Sequence, residues 1–325
     1  MEQYRSAQRF GVSVVCLTLL FRILELGLPG KAVSLLKALP ETSNIQTDAV
    51  REARHSSFPF PQESSAPMDY VPEPSLPVFL PEQAAEMDIR NTGGKEADYA
   101  ALLTRPLSWQ LAGTEPRVLI LHTHTTESYE PGTAGYAQTA PYRTLDEAYN
   151  MLCIGDALAE ALEAAGIPTV HDREFHDYPS YNSAYTQARK AIQANMQAHP
   201  GILLVLDLHR DAAGEGGRQL GTHVTVAGRE TAQLMTVLGV GRSGLENPRW
   251  EDNLSLALKL QLLLEAQAPG ITRPLSLRPQ RFNQDLAPYT LLIEVGTAGN
   301  TQEEALRATR LLADALIRLK AGTQG

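Results

Sequence analysis

Cysteine is almost missing from this chain. There are two in 325 residues, Cys16 in an N-terminal apolar run and Cys153 in a segment that reads as helix. Two thiols so placed build neither a disulfide framework nor a cysteine-based zinc site. An exported location stays open, because a domain with an adequate core needs no disulfide. A basic excess is lacking as well: 28 Lys and Arg stand against 37 Asp and Glu, a net charge of −9. A surface that tracks phosphates needs the opposite balance, so nucleic acid is not the expected partner. No internal repeat is visible, and no uninterrupted apolar run reaches the ~20 residues of an unstrained membrane span.

The run that comes nearest is FGVSVVCLTLLF, residues 10–21, preceded by Arg5 and Arg9. Basic then apolar is the order of a signal peptide or signal anchor. Arg22 and Glu25 interrupt the run, which resumes with Ile23, Leu24, Leu26 and Leu28 and has ends that can snorkel. An amphipathic cytosolic helix is the alternative. No small-x-small cleavage site follows, so residues 1–37 are expected to be an uncleaved membrane anchor. From Pro40 to Pro81 there are eight prolines among Ser, Glu and Gln. Such a composition cannot offset its ordering entropy, and 38–86 read as an extended tether. Residues 87–111 form a lead-in: a short strand, a turn at Gly93-Gly94 and a helical turn.

Residues 112–321 alternate strand and helix. Strands are expected at 118–121, 167–171, 202–208, 222–227, 234–240 and 290–295, and helices at 144–165 and 180–199. The leucines at 254, 256, 258, 260 and 262 alternate as in a strand, but length and Leu, Ala, Lys, Gln and Glu content favour a helix over 253–266. A last helix starts at Asn300, with Thr301-x-x-Glu304 as a capping box and Ala305, Ala308, Leu312, Ala315, Leu316 and Leu319 as its buried stripe. This order predicts an α/β fold: a mainly parallel twisted sheet with helices on both faces.

Open α/β sheets carry their chemistry just beyond the carboxyl ends of their strands. Four polar clusters lie at such ends: HTHTTE at 122–127, HDREFHDYP at 171–179, DLHRDA at 207–212 and IEVGTAGN at 293–300. His124-x-x-Glu127 has the spacing of a two-ligand zinc hook, and His209 can supply a third ligand from another strand. Two His and one Glu with an open position make a catalytic rather than a structural zinc site. The bland alternative has His124 donating to a backbone carbonyl and Glu127 capping the turn. His122 lies on the same strand face as His124 and is the rival ligand or a supporting partner. Asp207 and Asp211 can orient His209. Glu294, at the end of a buried strand, suits a general acid/base, against the reading of a salt-bridged structural glutamate. His171, His176 and Asp177 either line a cleft or are ordinary loop residues, and Arg210 either holds a substrate carboxylate or oxyanion or pairs with Asp211. Arg210, His176 and Asn283 are the candidates for substrate binding.

HTHTTESY, HDYPSYN, LDLHRDA, NPRWEDNL, PGITRPL, RFNQDL and LIEVGTAGNTQEEA, in this order, closely resemble the stage II sporulation protein P family. MDIRNTGG resembles its short motif before the domain, and the anchor and tether fit its layout. The resemblance implies a fold similar to zinc amidases and carboxypeptidases over residues 112–321, the catalytic domain. It implies a zinc-dependent N-acetylmuramoyl-L-alanine amidase that cuts peptidoglycan during engulfment in endospore formers. Carried onto this chain, zinc (Zn2+) falls to His124, Glu127 and His209, and catalysis to Glu294. The resemblance also implies stage II sporulation proteins D and M as partners and a single-pass membrane location with the domain outside the cytoplasm. A zinc carboxypeptidase-type peptidase acting on the stem peptide is the alternative, with Arg210, Arg218 and Arg273 as candidates for its cationic pocket. An inactive wall-binding scaffold is another.

Overall fold

A computed structural model describes residues 76–323 apart from 133–134, 216–217 and 243. The expected anchor and the tether up to residue 75 lie outside the described residues. Among the described residues no helix is long and apolar enough to cross a membrane.

The strands are β1 (Ile89–Asn91), β2 (Val118–Leu121), β3 (Thr169–His171), β4 (Leu204–Asp211), β5 (Gly214–Glu215), β6 (Arg218–Gln219), β7 (His223–Val226), β8 (Arg229–Ala232), β9 (Leu234–Gly239), β10 (Gly241–Arg242), β11 (Leu245–Glu246), β12 (Leu275–Arg278) and β13 (Tyr289–Thr297). The helices are α1 (Tyr99–Thr104), α2 (Met151–Ala164), α3 (Ala184–Ala198), α4 (Trp250–Gln267) and α5 (Gln302–Arg318), with 3-10 turns at Pro81–Glu86 and Tyr181–Ser183. Seven strands make the main sheet in the order β1-β12-β9-β13-β4-β2-β3. Every pairing is parallel except β13 with β9. The sheet is therefore two parallel blocks joined antiparallel, and β13, β4, β2 and β3 all end on one edge.

Period-two alternation explains the layers. Val118, Ile120, Leu204, Leu206 and Leu208 face a large core with Leu158 of α2, Leu256 of α4 and Leu312 of α5. Leu119, Leu121 and Val205 face the opposite side, against Ala188 and Ile192 of α3. Helices thus cover both faces, as expected. In α4 every residue from Asn253 to Gln261 is buried, so the leucines carry no one-sided 3.6-residue stripe and alternation there is incidental. The capping box at Thr301 and Glu304 is formed, and each residue of the expected α5 stripe is buried.

All four helix starts after residue 112 differ from expectation: α4 begins at Trp250 rather than 253 and α5 at Gln302 rather than Asn300, and two differ by more. α2 begins at Met151 because Asn150 caps it, its side chain accepting from the Leu152 N–H, while Thr144 N donates to Thr126 O at 2.8 Å. Residues 144–150 are thereby drawn into a turn against the 122–127 loop. α3 begins at Ala184, and the three residues before it form the 3-10 turn. Two strands also run further than expected. β4 continues through His209 to Asp211, which makes His209 and Glu294 direct neighbours across the ladder, and β13 continues past Val295 to Thr297. The register slips between Glu294 and Thr297. Gly296 sits there at φ 71°, where a Cβ would meet Asn300 Oδ1 at 2.8 Å. Such a bulge beside a polar cluster re-aims the strand end.

The lead-in is part of this sheet and core: β1 pairs with β12, and Leu102, Leu103, Leu107 and Leu111 are buried. Lys259 of α4 fastens it. Its fully buried Nζ donates to Leu102 O (3.1 Å), Ser255 Oγ (2.9 Å) and Ser255 O (3.3 Å). Burial, then the nearby Arg105 charge, pushes this lysine down to about 7.

Candidate functional site

The apolar run Val118–Leu121 can be buried on both sides because parallel neighbours take its backbone groups. The chain then leaves the sheet as the loop 122–127, and Glu127 N closes a turn onto His124 O at 3.1 Å. This brings His124 and Glu127 to the edge reached by His209 of β4 and Glu294 of β13. The imidazoles of His124 and His209 meet edge to face, ring centres 5.3 Å apart.

His124 is buried, and burial, ahead of its charged neighbours, lowers its basicity, so it is neutral near pH 7. Its Nδ1 is enclosed without a hydrogen-bond partner. Tyr181, itself 53% exposed, lies parallel to the ring at 4.5 Å. Tyr185 meets it edge-on, at 5.7 Å. Glu127 is gripped by two cations: Oε1 lies 3.2 Å from Arg143 Nη2 and 3.4 Å from Arg210 Nη1. Oε2 accepts from Arg210 N at 3.3 Å and lies 3.4 Å from His209 Nδ1. Burial opposes its charge, but Arg210, His209 and His124 hold the carboxyl far below the usual range. His209 is raised well above an ordinary histidine: burial opposes this, and the Asp207 and Glu127 carboxylates outweigh it. Its Nε2 is 2.9 Å from Asp207 Oδ1, in a direction that makes no hydrogen bond. Glu294 has an enclosed Oε2 with no partner. Burial, reinforced by Glu127 and Asp211 against the pull of His209, raises it to about 8.

His122 takes a different place. It is fully buried, its Nδ1 bonded to Leu208 O at 3.0 Å and its Nε2 to His171 Nε2 at 2.8 Å. A carbonyl only accepts, so Nδ1 donates and the neutral ring accepts at Nε2. Burial and then His171 push it down to about 3, which keeps it neutral. His171 Nδ1 continues to Asp156 Oδ1 at 2.9 Å. The two rings pack over Gly155 of α2, where a Cβ would meet His171 Nε2 at 2.3 Å and His122 Nε2 at 2.5 Å.

The three substrate-binding candidates are engaged within the protein. Arg210, besides Glu127, donates from Nε to Ser128 O (3.0 Å) and from Nη2 to Tyr142 O (2.8 Å). His176 is buried with Nε2 3.4 Å from Asp172 Oδ1. Asn283 donates to Tyr185 O at 2.8 Å and accepts from Arg189 at 3.5 Å. Asn283 and Phe282 both have positive φ, 56° and 52°, backbone strain of the kind that gathers at working sites. Arg273 pairs with Asp211 at 2.8 Å.

Sequence reasoning missed Arg143, Thr123, Thr126, Tyr181 and Tyr185. Arg143 reaches Glu127 only because residues 137–144 fold back on the loop, with bridges Glu127–Arg143 and Ser128–Asn150, and no periodicity announces that. Tyr181 and Tyr185 carried one signal, their place within and just after the HDYPSYN stretch.

Among the described residues, one trio of His, Asp and Glu draws its donor atoms within 4.8 Å of one another: His223, Glu230 and Glu304. His223 and Glu230 are exposed, and Glu304 serves the helix cap, which describes a surface cluster. His124, Glu127 and His209 stand wider apart than that trio. Their chemistry still fits a divalent metal: two imidazoles and an ionised carboxylate, with the enclosed His124 Nδ1 lacking a partner.

The molecule is thus an open α/β protein whose titratable side chains converge where β2, β4 and β13 end. A family model described as Stage II sporulation protein P (SpoIIP) matches residues 41–317, and the chain belongs to that family. The Stage II sporulation protein P of Bacillus subtilis (strain 168) is 29% identical over 216 residues, 63% of this chain and 51% of that protein. The chain therefore spans about half the length of this curated relative. Among solved structures, the N-acetylmuramoyl-L-alanine amidase AmiC2 of Nostoc punctiforme superposes with a TM-score of 0.37 at 16% identity, over 64% of this chain and 97% of that one. The N-acetylmuramoyl-L-alanine amidase of Clostridium difficile 630 gives 0.35 at 16%, over 63% and 95%. Superpositions that loose assign neither an activity nor a metal.

Proposed function

We propose that this protein is a cell-wall hydrolase of sporulation that cleaves the amide between N-acetylmuramic acid and L-alanine in peptidoglycan. Family membership supports the cell-wall and sporulation setting. The observation that carries the chemistry is Glu294, whose carboxyl is raised to about 8 and whose Oε2 is enclosed and unpartnered, beside His209 on the next strand. A carboxyl near neutrality suits proton transfer in both directions.

His124, Glu127 and His209 would hold zinc. Bound there, zinc supplies Lewis acidity toward the amide carbonyl and the attacking water. The remaining steps belong to the chain. Glu294 takes the proton of the attacking water and gives it to the leaving L-alanine nitrogen. Arg143 and Arg210 keep Glu127 ionised at every working pH. His209 is protonated in the metal-free protein, held between Asp207 and Glu127, so loading a metal must displace that proton.

The same reading puts an N-terminal anchor in a membrane with the hydrolase domain outside the cytoplasm, working with stage II sporulation proteins D and M. A peptidase that recognises a terminal carboxylate is the second reading, and it is weakened by the engagement of Arg210 with Glu127 and of Arg273 with Asp211. Incubating the protein with purified peptidoglycan, with and without a chelator and beside Glu294→Gln, tests the proposal by mass spectrometry. Free stem peptides beginning at L-alanine, lost in both controls, are expected. Cleavage within the stem would replace the amidase with the peptidase, and intact wall that retained the protein would replace both with a binding scaffold. The test needs the lead-in, since a chain begun at 112 loses β1 and four buried leucines.

A further inference from the structure

Two threonines on the 122–127 loop are held in one way by two different aspartates. Asp207 of β4 accepts the Thr123 N–H at Oδ1 (2.7 Å) and the Thr123 hydroxyl at Oδ2 (2.6 Å). Asp177, between β3 and the Tyr181–Ser183 turn, accepts the Thr126 N–H at Oδ1 (3.1 Å) and its hydroxyl at Oδ2 (2.6 Å). All four residues are buried. Thr123 immediately precedes His124, and Thr126 immediately precedes Glu127.

Binding both the N–H and the hydroxyl of one residue fixes its backbone and its χ1 together, and a β-branched side chain has little freedom to begin with. Each aspartate also reaches past its threonine. Asp207 stands 2.9 Å from His209 Nε2. Asp177 takes Arg143 Nη1 at 2.7 Å, and the other arm of that guanidinium reaches Glu127 at 3.2 Å. The first clamp therefore ties the His124 loop to His209, and the second ties it to the cation that orients Glu127. Burying two carboxylates to hold one six-residue loop is costly in desolvation. A loop that needed only to be ordered could use neutral turn bonds, such as those of Thr125 Oγ1 to His122 O and Glu174 O.

We propose that Asp207 and Asp177 are positioning residues that hold the loop carrying His124 and Glu127 in place beside His209 before any metal arrives. This rests on the reading of His124, Glu127 and His209 as ligands. The clamps lower the cost of ordering the loop at the moment of binding, so their loss shows as weaker metal affinity, beyond any change in folding stability.

The test compares Thr123→Val and Thr126→Val, which delete only the hydroxyl arm, with Thr123→Ser and Thr126→Ser, which keep it. Zn2+ affinity of the full chain is measured by competition with a chromophoric chelator, and melting is measured on the metal-free protein. The valine variants are expected to bind zinc ~10–100-fold more weakly and the serine variants within about threefold of wild type, the range for partners that orient a metal ligand. Valine variants that melt lower yet bind zinc like wild type would overturn the inference alone. A wild-type protein without zinc affinity would overturn both it and the proposed function. Thr126→Val carries the test if Thr123→Val does not fold, because Asp177 Oδ2 keeps Arg143 as a partner.

Discussion

Two buried polar regions of this domain differ in how fully their atoms are satisfied. Around α4 and the lead-in, Lys259 is fully buried, yet its Nζ has three acceptors within 3.3 Å, and Ser255 Oγ in turn donates to Leu102 O at 2.8 Å. At the edge where β2, β4 and β13 end, His124 Nδ1 and Glu294 Oε2 are enclosed with no hydrogen-bond partner. An unmade bond in the interior costs free energy that the fold has no structural reason to accept. The first region reads as a fastening and the second as a site set for something outside the chain. Burial alone would not separate them.

The largest expected effect tests that distinction at Glu294. Glu294→Gln should lower kcat on peptidoglycan by about 10²–10⁴, the usual contribution of a positioned acid/base, while thermal melting of the metal-free protein does not fall. Steady-state release of stem peptides and a melting curve check the two halves. An active Gln variant would turn the orphaned carboxylate into an ordinary buried residue.

Next in size are two pH dependences of stability with opposite signs. Glu294 in the folded protein lies near 8, above its ordinary 4.5. The folded state holds a proton that the unfolded chain releases, so this contribution is complete below about 4.5 and is lost as pH rises toward 8. Lys259 lies near 7, below its ordinary 10.5. There the unfolded chain holds the proton that the folded state lacks, so stability rises with pH between about 7 and 10.5. Urea midpoints of metal-free protein across pH 5–10 should therefore fall less steeply in Glu294→Gln, where His209 alone of the two raised groups remains, and should lose their rising limb in Lys259→Met. If Lys259→Met left the rising limb intact, the lysine would not be the titrating group of the fastening.

Much of this was legible in the sequence, for reasons that differ by residue. Strand–helix alternation and the apolar runs at 118–121 and 202–206 pointed to a mainly parallel sheet, since fully buried strands need continuous apolar residues. The Thr301 and Glu304 cap was legible because its chemistry is local. The antiparallel junction of β9 with β13 was not, because both strands are buried runs and nothing local marks direction. Nor was the start of α2 at Met151, since residues 144–150 are held by Thr126, which accepts the Thr144 N–H, and by the bridge of Ser128 to Asn150, partners distant in sequence. At the site, the polar clusters at strand ends marked the edge. The separation of His122 from His124 was invisible, because which ring meets His171 depends on the packing over Gly155.

That packing gives a smaller and more local prediction. Gly155→Ala places a methyl within 2.6 Å of both imidazoles, and one ring must move. Overpacking of this kind costs ~1–3 kcal/mol, read as a lower urea midpoint. The His122–His171 pair is a satisfied one, so zinc affinity should change much less than stability. A larger loss of affinity than of stability would move His122 from the fastened side of the comparison to the open one.

The smallest effect comes from a satisfied pair whose chemistry is wholly local. Thr301 accepts the Glu304 N–H at 3.2 Å, and Glu304 Oε2 accepts the Thr301 N–H at 3.2 Å and Asn300 Nδ2 at 2.7 Å. Thr301→Ala removes one acceptor at the start of α5 and leaves the carboxylate with its two other donors. The expected cost is about 1 kcal/mol of stability, as for other capping residues. Neither zinc affinity nor stem-peptide release should change, although Asn300 and Thr297 tie this cap to the end of β13. If activity fell with the cap, the bulge at Gly296 would be transmitting strain from α5 to Glu294, and the two regions would not be independent.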